Sequence, residues 1–216
     1  MAADDCPGAQ AFLPARRTLR TLRDAVDGCR GCPLYRDATQ AVFGEGASAA
    51  RLVIVGEQPG DAEDRAGQPF VGPAGRLLDE ALVAARIARR EVYITNAVKH
   101  FKYTMRGKRR IHSKPRAAEV QACRPWLDAE LAAIGPEAVL LLGATAVSSL
   151  LGSKVKVLRD RGRRLSTAVA AATFVTVHPA AVLRAGDDRE AAQAAFFADL
   201  AVVGAYLDDP SSTAAA

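Results

Sequence analysis

The chain has 216 residues, half of them hydrophobic, with 29 Lys or Arg against 24 Asp or Glu and a net charge of +5. Such a chain suits one domain with a sizeable core, expected over 1–216, with residues 1–14 and 210–216 as flexible tails. No apolar run reaches the roughly 18–20 residues of a membrane span, and the start, with Asp4 and Asp5, lacks a basic and apolar secretory pattern. The expectation is therefore a cytoplasmic monomer with no membrane partner.

Residues 18–28 read as a short helix leading into Cys29-x-x-Cys32, a chelating pair. A disulfide framework is not expected in a cytoplasmic chain, which leaves zinc, an iron–sulfur cluster or a redox dithiol. Residues 51–55, RLVIV, form a buried-strand pattern that ends in GEQPG (56–60), and a Gly/Pro-rich loop follows as far as Gly75. Residues 74–89 have helical periodicity, with Leu77, Leu78, Ala81, Leu82 and Ala85 on one face. Residues 92–95 form the second strand, running into Asn96. Pro115 precedes a helix over 116–134. Residues 138–142 form a third strand closed by Gly143, and 144–151 a short helix. Residues 174–177 form a fourth strand that runs into His178-Pro179, and 189–207 the last helix.

Strands alternating with helices predict an α/β domain whose parallel sheet is covered on both faces. Ligands of such sheets bind beyond the carboxyl ends of the strands. Glu57 and Gln58, Asn96 and His178 stand at those ends, on three separate strands. Two basic runs stand out. Residues 99–116 hold eight Lys or Arg and no acid, and residues 154–164 are also basic. Either fits a polyanionic partner or a solvated surface loop.

GEQPG (56–60), GQPFVGPAG (67–75), TNAVK (95–99) and HPAAVLR (178–184) resemble the uracil-DNA glycosylase superfamily, specifically its iron–sulfur family 4. Gln58 within GEQPG, together with KRRIH (108–112), resembles the UdgX type. The resemblance covers the chain from about Cys29 to Leu207. It implies a three-layer α/β/α sandwich around a central four-stranded parallel sheet. It also implies uracil-containing DNA as partner, with single strands used readily because no duplex need be opened.

Uracil recognition needs stacking and an edge of hydrogen bonds. Phe70 is expected to stack. The Asn96 amide can donate to uracil O4 and accept from N3–H, a pattern that cytosine reverses. His178 is expected to donate to O2 as the base leaves. Glu57 is expected to stabilise the sugar cation or take a proton from the attacking group, and Gln58 to add a uracil contact. Lys108, Arg109, Arg110, Arg184 and the amides of Gly72 and Gly75 are expected at DNA phosphates. Leu183 could be a wedge or a packed core residue. Asp61 and Asp64 read as surface or loop-ordering residues.

His112 is the sharpest expectation. In the UdgX type the matching His bonds to the sugar C1′ after uracil departs. Three cations precede it in the sequence and are expected to keep it neutral. The alternative is a His that only contacts phosphate beside a water-using turnover enzyme. A third reading is a non-catalytic module for uracil-containing or abasic DNA. The resemblance further implies a [4Fe–4S] cluster on Cys29, Cys32, His100 and Cys123. Here His100 follows Val98-Lys99 where family 4 has cysteine, and Cys6 lies outside the pattern in the expected tail. Zinc on the same four residues is the rival.

Overall fold

The computed structural model describes residues 6–211. The parallel strands are β2 (Leu52–Gly56), β3 (Val92–Asn96), β6 (Ala138–Leu142) and β7 (Ala172–Thr176). Every residue in them is buried, as near-continuous apolar runs require when helices cover both faces of a sheet. A two-residue antiparallel edge, β1 (Glu45–Gly46), completes the order β1-β3-β2-β6-β7. The fourth parallel strand begins and ends earlier than the sequence pattern suggested.

Helices α1 (Leu19–Val26), α3 (Pro73–Ala84), α4 (Ala117–Ile134), α5 (Gly143–Leu151) and α8 (Arg189–Asp208) fall near their expected positions. Helix α3 stops short of residue 89 because Arg86 adopts φ +58°, a left-handed conformation a helix cannot continue through. Three short helices were not expected: α2 (Asp61–Ala66), α6 (Val157–Asp160) and α7 (Pro179–Leu183). The basic segment expected as a loop is a hairpin of β4 (Tyr103–Arg106) and β5 (Arg109–His112). Its two-residue turn starts with Gly107 at φ +60°, which suits a right-twisted hairpin.

By length and composition α8 could cross a membrane. Its Phe196, Leu200, Val203 and Leu207 pack instead into the main core on one face of the sheet. A second core covers the other face. A third lies in a lobe formed by α1, α4 and the cysteine segment. Residues 6–14, expected within a loose tail, are part of that lobe. Ala9 is fully buried and its N–H donates to the Ala122 carbonyl at 2.8 Å. Cys6 packs against the same lobe. The rest of the expected tails, residues 1–5 and 212–216, lies outside the described residues.

Lys99 is fully buried and joins the lobe to the sheet. Its ammonium donates to the Thr95 hydroxyl at 2.6 Å, to the Asn96 carbonyl at 2.9 Å and to the buried Glu130 carboxylate. Glu130, on α4, also accepts from Tyr93 Oη at 2.9 Å and from Gly44 N at 3.1 Å. Glu130→Gln would strand a buried ammonium and should cost about 3–5 kcal/mol in a urea titration. Adding Lys99→Met to that variant should recover much of the loss. A double variant as unstable as the two losses summed would show that packing, and not charge pairing, sets the cost.

Candidate active site

The strand register puts Gly56 beside Asn96, and the ladder runs on past the strand ends, with Ala97 N bonded to the Gly56 carbonyl at 2.9 Å. Polar side chains at these ends therefore emerge at one level. They open on a cavity of about 600 Å³ lined by Glu57, Phe70, Asn96, His112 and His178 among others. That size suits a small organic ligand.

Asn96 is buried and its Oδ1 has no hydrogen-bond partner. A buried amide oxygen left unpaired costs free energy unless a ligand completes it. Gly56 makes room for this group, since a Cβ there would lie 2.4 Å from Asn96 Oδ1 and 2.7 Å from the Phe70 ring. Phe70 itself sits at φ +58°, a strained conformation for an aromatic residue. It is held there by close packing on Gly75, where a Cβ would come within 1.7 Å of the Phe70 carbonyl oxygen.

The His178 ring stacks on Phe70 with centroids 5.8 Å apart. Its Nδ1 accepts from Ala180 N at 3.2 Å, so the neutral ring carries its proton on Nε2. Burial pulls its pKa down to about 4, with Glu57 opposing and Arg184 adding to the shift. At neutral pH it is an uncharged donor.

Glu57 bridges two elements. One carboxylate oxygen accepts from the Thr145 hydroxyl on α5, and the other lies 3.3 Å from His112 Nε2. Burial alone would raise its pKa, but the bonds from His112 and Thr145 outweigh it and hold the carboxyl below its ordinary value. Thr145 was missed in the sequence because nothing local marks a helical threonine as facing a loop carboxylate from 88 residues away.

The structure reassigns several expected contacts. Gln58 is buried and spent on the hairpin base. Its Nε2 donates to the carbonyls of Lys102 and Ser113 at 3.1 and 3.2 Å, and its Oε1 accepts from Lys102 N at 3.2 Å. It thus clamps the hairpin carrying His112 while also lining the cavity. Arg110 is likewise not a free phosphate ligand. It pairs with Asp61 and, at 2.7 Å, with the fully buried Asp64, and lies over the Phe101 and Tyr103 rings. Asp61 and Asp64 therefore anchor the hairpin to α2. The charged group in contact with His112 is the Glu57 carboxylate, so the expected surround of cations is not what the fold builds.

Gly72 N donates to Glu63 Oε1 at 2.8 Å and Gly75 N to the Gly72 carbonyl at 3.0 Å, so both amides are engaged within the loop. Lys108, Arg109 and Arg184 are exposed, and Arg184 lines the cavity mouth. Leu183 is half-buried and packs on the main core, which fits the packed reading and not a wedge. Three of the six cations in the second basic run are paired internally, Arg159 and Arg163 with Asp160 and Arg161 with Asp199.

A second cavity lies in the cysteine lobe, lined by Cys29, Cys32, His100, Cys123 and Trp126 with their neighbours. The four expected ligands thus surround one space. Among the described residues no three His, Cys, Asp or Glu side chains converge tightly enough for a single metal ion. Burial pushes the Cys32 thiol up to about 11 and the Cys123 thiol up to about 12. Thiolates at such positions need a positive group among them.

The sequence profile of the uracil DNA glycosylase superfamily matches residues 43–201. A type-4 uracil-DNA glycosylase of Pyrobaculum aerophilum is 38% identical over 204 residues, which cover 89% of this chain and 98% of that protein. Another, from Thermotoga maritima, is 38% identical over 167 residues, 77% of this chain and 83% of that protein.

A carbon-13 NMR titration of Glu57 should give a midpoint below the ordinary 4.5. Thr145→Val removes one lowering bond and leaves the burial, so the midpoint should rise, and Thr145→Ser should bring it back. An unmoved midpoint in Thr145→Val would mean that the hydroxyl does not fix this carboxylate.

Proposed function

The chain belongs to the uracil DNA glycosylase superfamily, and on that premise we propose that it excises uracil from DNA and then retains the abasic strand on His112. The unpaired, buried Asn96 Oδ1 is the observation that carries the base specificity. It can accept from uracil N3–H, while the same amide donates to O4. Cytosine offers a lone pair at N3 and a donor at C4, so it would leave both groups opposed. Phe70 covers one face of the base.

As the N1–C1′ bond breaks, its electron pair goes to the uracil ring, and His178 Nε2–H donates to O2 where the charge gathers. The sugar becomes cation-like, and the Glu57 carboxylate, held ionised, stands ready against it. His112 Nε2 then bonds to C1′ and gives its proton to Glu57. The products are uracil anion and a neutral imidazole joined to the sugar. Support for this last step is the 3.3 Å approach of His112 Nε2 to Glu57, and the KRRIH and GEQPG resemblance to the UdgX type. Water in place of His112 would give the turnover reaction. We assign Gln58 and Arg110 to positioning His112, and Lys108, Arg109 and Arg184 to phosphate contacts. A monomer acting on single-stranded DNA completes the reading.

We assign Cys29, Cys32, His100 and Cys123 to a [4Fe–4S] cluster and not to zinc on the family resemblance, and their lining of one shared space supports the assignment. Bound there, the cluster supplies a structural cross-link between the N-terminal lobe and α4, with no part in bond cleavage.

The test is a denaturing gel with a labelled single strand holding one uracil. A shifted band that survives hot SDS, absent with thymine, is the expected result. His112→Gly should abolish the shift and leave uracil release detectable. Alkali-labile strands without a shift in the wild type would establish the turnover reaction. A shift that persists in His112→Gly would remove His112 as the attachment point.

A further inference from the structure

Five buried side-chain polar atoms lack a hydrogen-bond partner among the described residues: Asn96 Oδ1, Arg110 Nη2, Trp126 Nε1, Arg161 Nη2 and Arg163 Nε. The three on arginines belong to guanidinium groups that each pair with a carboxylate through another nitrogen. The remaining two each belong to a residue lining a cavity. Asn96 faces the base pocket. Trp126 lines the cysteine cavity, is fully buried, and has only an N–H to donate.

An orphaned indole N–H in a packed core is unfavourable relative to a paired one. A core position with no use for the donor would be filled as well by Phe. Trp126 lies three residues after Cys123 on α4, so the two side chains share a helix face. The sulfurs of this lobe already attract N–H donors: Lys99 N bonds to Cys123 Sγ at 3.3 Å, and the Leu34 backbone bonds to Cys32. The acceptor missing from Trp126 would thus be a sulfur carrying negative charge inside the cavity.

We propose that the Trp126 indole N–H is a hydrogen-bond donor to the iron–sulfur cluster, to an inorganic sulfide or a ligating thiolate, and that it tunes the cluster's reduction potential. This rests on the cluster reading given above. A donor to cluster sulfur favours the more negative, reduced form and raises the potential. Trp126 is a positioning and tuning residue and touches no DNA.

The test uses the full chain purified without oxygen, with iron and sulfide counted first. Trp126→Phe should keep the same iron content and move the cluster midpoint to a more negative potential. Equal iron with an unchanged midpoint would overturn the proposal. The chain has a single tryptophan, so wild-type protein grown with nitrogen-15 indole label gives an unambiguous second measurement that needs no variant. In the paramagnetic state of the cluster, electron–nuclear double resonance should show coupling to that nitrogen and to its exchangeable proton. A paramagnetic cluster without such coupling would overturn the proposal even if the Phe variant failed to assemble. A wild-type chain with neither iron nor sulfide would instead overturn the cluster reading beneath it.

Discussion

One buried ion pair holds the two halves of the molecule in register. The Lys99 ammonium lies between the sheet and the cysteine lobe, and it grips the Thr95 hydroxyl, the Asn96 carbonyl and the Glu130 carboxylate together. A charge so deep is tolerated only because every direction it points in holds an acceptor. The Asn96 side chain is thereby fixed from behind, through its own backbone. On the other side, the N–H of the same lysine reaches Cys123. Disturbing the lobe and disturbing the base pocket are thus the same perturbation seen from two sides.

Strain at the pocket is handled in a similar way. Phe70 has a left-handed backbone that lies closely against Gly75, and Gly56 clears the space its ring needs beside Asn96. The fold holds an unfavourable conformation where a flat ring must meet a flat base, and the main core absorbs the cost.

The architecture was readable in the sequence because parallel strands buried on both faces leave apolar runs, and their ends carry Glu57, Asn96 and His178. The hairpin was not read, although Gly107 between two β-compatible tetrads is a turn signal. Its charge obscured it: a run with eight cations looks like a loop, and the cation that matters most for its shape, Arg110, faces inward to Asp64. The clamping bonds of Gln58 were missed for a related reason. A polar residue in a motif suggests ligand contact, whereas its partners are backbone carbonyls more than 40 residues away that no local pattern announces. Thr145 and Trp126 were silent because each acts through a single long-range contact or cavity.

The hairpin has its own two-stranded sheet, separate from the central one, and is fastened to the body mainly by Gln58 and Arg110. The residues that read the base are mounted on the central sheet and its following loops. The pocket floor and the strand that carries His112 are therefore separate pieces of the fold, joined through Glu57, Gln58 and Asp64. On the proposed reading, the choice of base and the fate of the sugar rest on different pieces of the fold, which meet where His112 reaches Glu57.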